Sequence, residues 1–199
     1  MRLVLATANP DKAREIEDLL DGFEVVARPA SVPDVEETGA TLVENALLKA
    51  RAVRDATGEP AVADDTGLEV DALHGAPGVR SARFAGPAAT SDENVDKLLA
   101  ALAGVPPGSR RARFRTVAAA CLPDGRELVA EGAVDGVITG ARRGSGGFGY
   151  DSVFVPDDGD GRTFAEMTLA EKQAVSHRFR AFSALATTLL VALDHRHGG

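Results

Sequence analysis

Two adjacent aspartates, Asp64 and Asp65, close the apolar run "AVADDTG". Carboxylates at a strand end offer the hard oxygen ligands that Mg²⁺ takes while keeping several of its waters. Neighbours on a strand point to opposite faces, so the two acids would do different work. The same residues also fit an Asx turn into Thr66-Gly67, and both readings stand at this level. A second acidic pair, Glu36 and Glu37 in "EETG", reads as a solvated loop unless folding brings it beside Asp65.

Basic chemistry is concentrated elsewhere. Lys172, His177 and Arg178 lie within "EKQAVSHRFRAF". On one continuous helix Lys172 and His177 would stand about 140° apart. They converge better if the helix restarts after an N-cap at Ser176. The bland reading is a basic surface face with a satisfied histidine. Lysine itself is scarce: the chain has only Lys12, Lys49, Lys97 and Lys172 among 22 basic residues. Where arginine substitutes so freely, a remaining lysine suggests a compact ammonium that a planar fork cannot replace.

In "RRGSGGFGYDSVF", Gly144, Gly146, Gly147 and Gly149 crowd around Phe148, followed by Tyr150 and Asp151. A phosphate cradle, a bulged turn and a pocket for something flat all fit this composition. No Walker-type loop is present, and the cluster does not open a helix after a strand as a dinucleotide fingerprint would.

The elements that must position these residues follow from periodicity. "RLVLA" (2–6) reads as a buried strand and "DKAREIEDLL" (11–20) as an amphipathic helix. Between them "TANPDK" (7–12) places a loop before a helix N-terminus, where unpaired N–H groups suit an anion. "FEVVA" is a second strand. Thr41 with Glu44 forms a capping box for a long helix closed by Gly58. On that helix Val43, Ala46, Leu47, Ala50 and Val53 make the core stripe, while Asn45 and Lys49 share another face. A helix over 91–102 and a hairpin of strands 112–122 and 126–138, turned at Pro123-Asp124-Gly125, come next. "DSVFVP" (151–156) reads as a strand. The last helix lies within 169–193, ahead of a fraying tail at 194–199. The mixture argues α/β or α+β in a single domain.

Bulk properties exclude several classes. A formal charge of −8 opposes a general nucleic-acid binder, because phosphate backbones attract basic surfaces. No apolar run reaches membrane-spanning length, and "MRLVLATANP" is too short and too soon interrupted for a signal peptide. One cysteine, Cys121, excludes an internal disulfide framework and reads as an inert core thiol. A cytoplasmic protein, with no nucleic-acid or membrane partner, is the expectation.

Five segments in order, "LATANPDKAREI", "EETGATLVENALLKA", "ADDTGLEVDALHGAPGVRSARFAG", "GGFGYDSVF" and "FAEMTLAEKQAVSHRFRA", span residues 3–182. Together they resemble the inosine triphosphate pyrophosphatase family, which hydrolyses non-standard purine nucleoside triphosphates (ITP, dITP, XTP) to the monophosphate and pyrophosphate. The resemblance implies an α/β fold: an elongated mixed sheet flanked by helices, in two lobes with the active-site cleft between. It implies that Thr7, Ala8, Asn9, Pro10, Asp11 and Lys12 cradle the triphosphate and that Lys49 reaches phosphate. It implies that Asp65 is general base and Mg²⁺ ligand, with Glu37 a second Mg²⁺ contact and Thr66 bordering substrate. Phe148, with Gly149 and Tyr150, would form the base platform; Asp151, Lys172, His177 and Arg178 would form the base-reading group. A homodimer is implied as well. The chain departs from the family's pattern at Ala8, often glycine, and at Ser152, commonly proline; neither removes a charged or donor group. Alternatives are a septum-inhibitor-type nucleotide pyrophosphatase, which "SHR" and "FGYD" oppose, and an inactive nucleotide-binding regulator, which intact Asp65, Glu37 and Lys12 oppose.

Overall fold

The computed structural model describes residues 1–7 and 9–194. Ala8 and the tail 195–199, with the expectations placed on them, lie outside the described residues. The elements in chain order are β1 (Arg2–Leu5), α1 (Pro10–Glu17), β2 (Glu24–Ala27), α2 (Leu42–Thr57), β3 (Ala61–Val70), β4 (Pro77–Gly78), α3 (Ser91–Ala101), β5 (Arg111–Cys121), β6 (Glu127–Ile138), β7 (Phe154–Pro156), α4 (Leu169–Val175) and α5 (His177–Asp194). The seven strands form one mixed sheet in the order β2-β1-β3-β5-β6-β7, with β4 on β3. β1 runs parallel to β2 and β3, whereas β4 and β7 pair antiparallel.

The chain divides into two compact units. The first takes Met1–Asp65, Thr116–Gly132 and the segment from Arg178 onward. Leu3, Leu5, Ile16, Leu20, Val62, Phe182, Leu185 and Leu189 form one of its cores, on the α1 and α5 side. Val4, Val32, Ala50, Val53, Ala61 and Ala63 form another, on the α2 side. The second unit takes Thr66–Arg115 and Ala133–His177. Its core gathers Leu68, Val70, Leu98, Phe114, Tyr150, Phe154 and Phe164.

Local signals explain much of this. Asn9 caps α1 by accepting from Asp11 N and Lys12 N, with Pro10 at the first helical position. The Thr41–Glu44 capping box is formed, and Gly58 closes α2 at φ 69°. Helix α2 buries Leu42 and Asn45 alongside Ala46, Ala50 and Val53, so Asn45 joins its buried face.

Three readings are corrected. Asp64 and Asp65 do not end a strand or open an Asx turn; β3 continues through them to Val70. Tertiary pairing overrides the turn-like composition: Leu68 and Glu69 pair with Gly78 and Pro77, and a Cβ on Gly67 would stand 2.7 Å from the Gly78 carbonyl oxygen. Residues 151–153 are turn, leaving only Phe154–Pro156 as strand. Helix α1 ends at Glu17, short of Leu20. The restart near Ser176 is present: its φ of −80° and ψ of 152° are extended, and α5 begins at His177.

Candidate active site

Strand β3 distributes two acids to two faces. Val62 belongs to the core on the α1 and α5 side, and Ala61 and Ala63 to the core on the α2 side. Period-two alternation therefore sends Asp64 toward α1 and α5 and Asp65 toward α2. Their partners follow that division. Lys12 of α1 lies 3.4 Å from Asp64 Oδ2, and Arg178 of α5 lies 3.4 Å from the same oxygen. Lys49 of α2 donates to Asp65 Oδ1 at 3.0 Å, and Asn45, one turn earlier, donates to Asp65 Oδ2 at 3.2 Å. Burial of Val62 and Leu68 on the same strand contributes about 1.5–3 kcal/mol each, which helps offset holding carboxylates there.

The "EETG" segment is not a solvated bystander. Lys49 Nζ bridges Asp65 Oδ1 to Glu37 Oε1, the latter at 2.9 Å. Two carboxylates thus share one ammonium. Burial pushes the Asp65 carboxyl above its ordinary pKa against the pull of Lys49, and Glu37 adds to the push. Burial opposes the Lys49 ammonium, yet Asp65, Asp64 and Glu37 outweigh it and hold its pKa above the usual value.

Arg178 donates to Glu15 Oε2 through Nη1 and approaches Asp64 through Nε and Nη2; its side chain is 2% exposed. Glu15 lies three residues after Lys12, on the same helix face. In the first unit, four carboxylates (Glu15, Glu37, Asp64, Asp65) therefore face three cations (Lys12, Lys49, Arg178). Sequence reading missed Glu15, and it singled out Asp64 and Asn45 without their partners. The i,i+3 and i,i+4 spacing to Lys12 and Lys49 was the available signal.

The second unit holds the aromatic group. Asp151 Oδ2 accepts from Lys172 Nζ at 2.6 Å and from the Phe148 amide at 2.9 Å. Lys172 Nζ stands 4.8 Å from the Phe148 ring centroid, a cation–π distance. His177 stacks on Phe114 with centroids 4.6 Å apart and planes 9° apart. The glycines have internal reasons. Gly147 has φ 67°, and a Cβ there would overlap the Asp151 carboxylate; one at Gly144 would overlap the Ala165 carbonyl. A cavity of about 480 Å³ is lined by the glycine loop, Phe148, Asp151, Arg142 and the start of α3.

The remaining candidates are placed as follows. Thr7 accepts from the Asn9 amide at 3.1 Å, ahead of the α1 cap; Pro10, Asp11 and Lys12 form the first turn of α1. Thr66 is half-buried on β3. Gly149 has φ 60°. Tyr150 sits in the core, and its hydroxyl donates to the Ser81 carbonyl at 2.9 Å. Burial alone pushes that hydroxyl well above its ordinary pKa. Lys97, exposed on α3, donates to the Phe84 carbonyl at 2.6 Å and stands 4.7 Å from the centre of its ring. Cys121 is buried and its thiol is pushed up to about 11, which makes it a poor nucleophile.

Hard oxygen donors at Glu37 and Asp65 fit Mg²⁺, which binds through one or two carboxylates and completes its shell with water and phosphate. Among the described residues no cluster of three or more His, Cys, Asp or Glu side chains could hold a metal alone.

Comparison with known proteins gives one consistent answer. Residues 3–188 match the model of the Ham1 family. A dITP/XTP pyrophosphatase from Methylococcus capsulatus is 52% identical over 193 residues, covering 94% of this chain and 96% of the relative. One from Streptomyces coelicolor is 50% identical over 190 residues, covering 92% and 94%. The solved Ham1 protein of Coxiella burnetii superimposes with a TM-score of 0.86 at 42% identity, covering 96% of this chain and 98% of that one.

Proposed function

This chain belongs to the Ham1 family, and on that premise we propose that it hydrolyses non-standard purine nucleoside triphosphates, dITP, XTP and ITP, to the monophosphate and pyrophosphate. One observation carries the chemistry: Asp65 is held at both oxygens, by Asn45 and by the Lys49 that also holds Glu37.

Asp65 orients a water and takes its proton as the water attacks the α-phosphorus. Its raised pKa makes it a stronger base than an exposed aspartate. Lys12 and Lys49 neutralise charge that builds on the departing pyrophosphate. The Thr7 hydroxyl and the Asn9 amide NH₂ supply side-chain donors to the phosphates beside Lys12, since Asn9 already caps the Asp11 and Lys12 amides. Bound Mg²⁺, held by Glu37 and Asp65, would supply further charge neutralisation at the phosphates. Cytoplasmic residence and a homodimer belong to the same proposal and rest on the resemblance; no described helix is long and apolar enough to cross a membrane.

The base end of the substrate calls for a flat apolar surface and donors. Hypoxanthine and xanthine carry an acceptor oxygen at C6, where adenine carries an amino donor. Phe148 supplies the surface; Lys172, fixed by Asp151, and His177 supply donors. Arg178 can donate to a base only after releasing Glu15 and Asp64. A site built on such a bond can reject the mismatch by about 10⁴-fold.

The test is pyrophosphate release from dITP, XTP, ITP, ATP and GTP with Mg²⁺. Strong preference for the first three is expected. Release confined to other or modified nucleotides would favour the septum-inhibitor type, and tight ITP binding without turnover would favour a regulator. Phe148→Ala should weaken ITP and ATP alike, by about 1–3 kcal/mol, because every base has a π-face. A loss confined to ITP, measured as KM or Kd, would show that the ring selects instead of merely holding.

A further inference from the structure

Asn45 is completely buried on the face of α2 that meets β3, and both ends of its amide are engaged. Its Oδ1 accepts from the Gly39 backbone N–H at 2.8 Å, and its Nδ2 donates to Asp65 Oδ2 at 3.2 Å. A backbone N–H can only donate, so the Gly39 contact fixes which way the amide faces and directs its NH₂ at the carboxylate. Gly39 must come this close: a Cβ there would stand 2.6 Å from Asn45 Oδ1 and 2.7 Å from Glu44 Cβ. The loop is held again by Glu44, whose Oε2 accepts from the Ala40 and Thr41 amides. Glu37 lies two residues before Gly39, and Lys49 lies one turn after Asn45. One side chain therefore ties the loop that carries Glu37 to Oδ2 of Asp65.

We propose that Asn45 is a positioning residue for the hydrolysis: it fixes the rotation of the Asp65 carboxylate and anchors the Glu37 loop to it. The proposal rests on Asp65 as general base. Among the described residues Lys49 alone holds Oδ1, and a carboxylate held at one oxygen can turn about its Cβ–Cγ bond. A neutral amide at Oδ2 prevents that turn without cancelling the charge that a base and cation ligand needs. A second ammonium in its place would hold the oxygen but reduce its basicity.

The experiment compares Asn45→Leu and Asn45→Asp with wild type by steady-state dITP hydrolysis with Mg²⁺, at a temperature where melting curves show each protein folded. Asn45→Leu loses both contacts. Asn45→Asp keeps an acceptor for the Gly39 amide and replaces the donor to Asp65 with a second carboxylate oxygen, which repels it. Both should lose kcat by about 10²-fold, the cost of a small misplacement of a reacting group, with KM within about threefold of wild type. A purely structural role lowers the melting temperature and leaves kcat of the folded protein alone; that result, or wild-type kcat in Asn45→Asp, overturns the proposal. An inactive wild-type chain is a different result and counts against the proposed function. Hydrogen exchange at the Gly39 amide reads the anchor without any turnover. It should quicken in Asn45→Leu and stay slow in Asn45→Asp; slow exchange in both also overturns the proposal.

Discussion

Asp65→Asn should lower turnover of dITP by about 10²–10⁴-fold, the usual contribution of a general base, while the protein stays folded. The amide has nearly the shape of the carboxylate but no lone pair basic enough to take a proton from water. It also has one acceptor where Asp65 has two, and both are in use: Lys49 at Oδ1 and Asn45 at Oδ2. One donor must therefore face an NH₂ group. Stability should move differently. Burial raises the Asp65 pKa, so the ionised form is disfavoured by folding at neutral pH, and stability from this group falls as pH rises above its ordinary pKa. A neutral amide escapes that penalty, but it leaves the Lys49 ammonium one carboxylate fewer and a donor facing NH₂, so the melting temperature should stay close to that of wild type. Pyrophosphate release and calorimetry on one preparation check both halves. Turnover at the wild-type rate would remove Asp65 from the chemistry.

Arg178→Met should cost about 3 kcal/mol or more of folding stability. The guanidinium is the cation that Glu15 and Asp64 share at full burial, and removing one partner of a buried ion pair leaves charge in a medium that solvates it poorly. Methionine keeps the length and apolar stem, so lost packing is a small part of the effect. For a chain of this size the melting temperature should fall by roughly 6–12 °C. A residue that only reads the base would give the opposite pattern, with unchanged melting and lost selectivity between dITP and dATP. Measuring both quantities in the one variant separates the two roles. An unmoved melting temperature would return Arg178 to the base.

Local features were the legible ones. The capping box Thr41–Glu44, the αL glycine at Gly58 and the restart after Ser176 depend on neighbours within a few residues, and the structure has all three. The spacing of Asn45 and Lys49 put both on one face, and the adjacency of Asp64 and Asp65 put them on opposite faces. What sequence could not supply was partnership across the chain. Arg178 meets Asp64 and Glu15 over separations of 114 and 163 residues, and nothing in "SHR" specifies them. The turn signals in "DDTG" were also outvoted from a distance, by the β4 pairing that keeps Gly67 against Gly78. Likewise the composition around Phe148 left a phosphate cradle, a bulged turn and a flat pocket open, whereas Gly144 and Gly147 make room for the protein's own Ala165 and Asp151.

The alternation along β3 has a bearing on how this chain can change over time. Asp64 and Asp65 are assigned to separate groups of partners by parity alone, since each side chain's face is set by counting residues along the strand. A substitution at Ala61 or Ala63 alters packing and leaves the count intact. Gain or loss of one residue between Ala61 and Asp65 would exchange the two acids, sending Asp65 toward Arg178 and Asp64 toward Lys49. The segment can therefore drift in composition while its length stays frozen, and diversity of length among descendants is confined to the loops that do not carry the count.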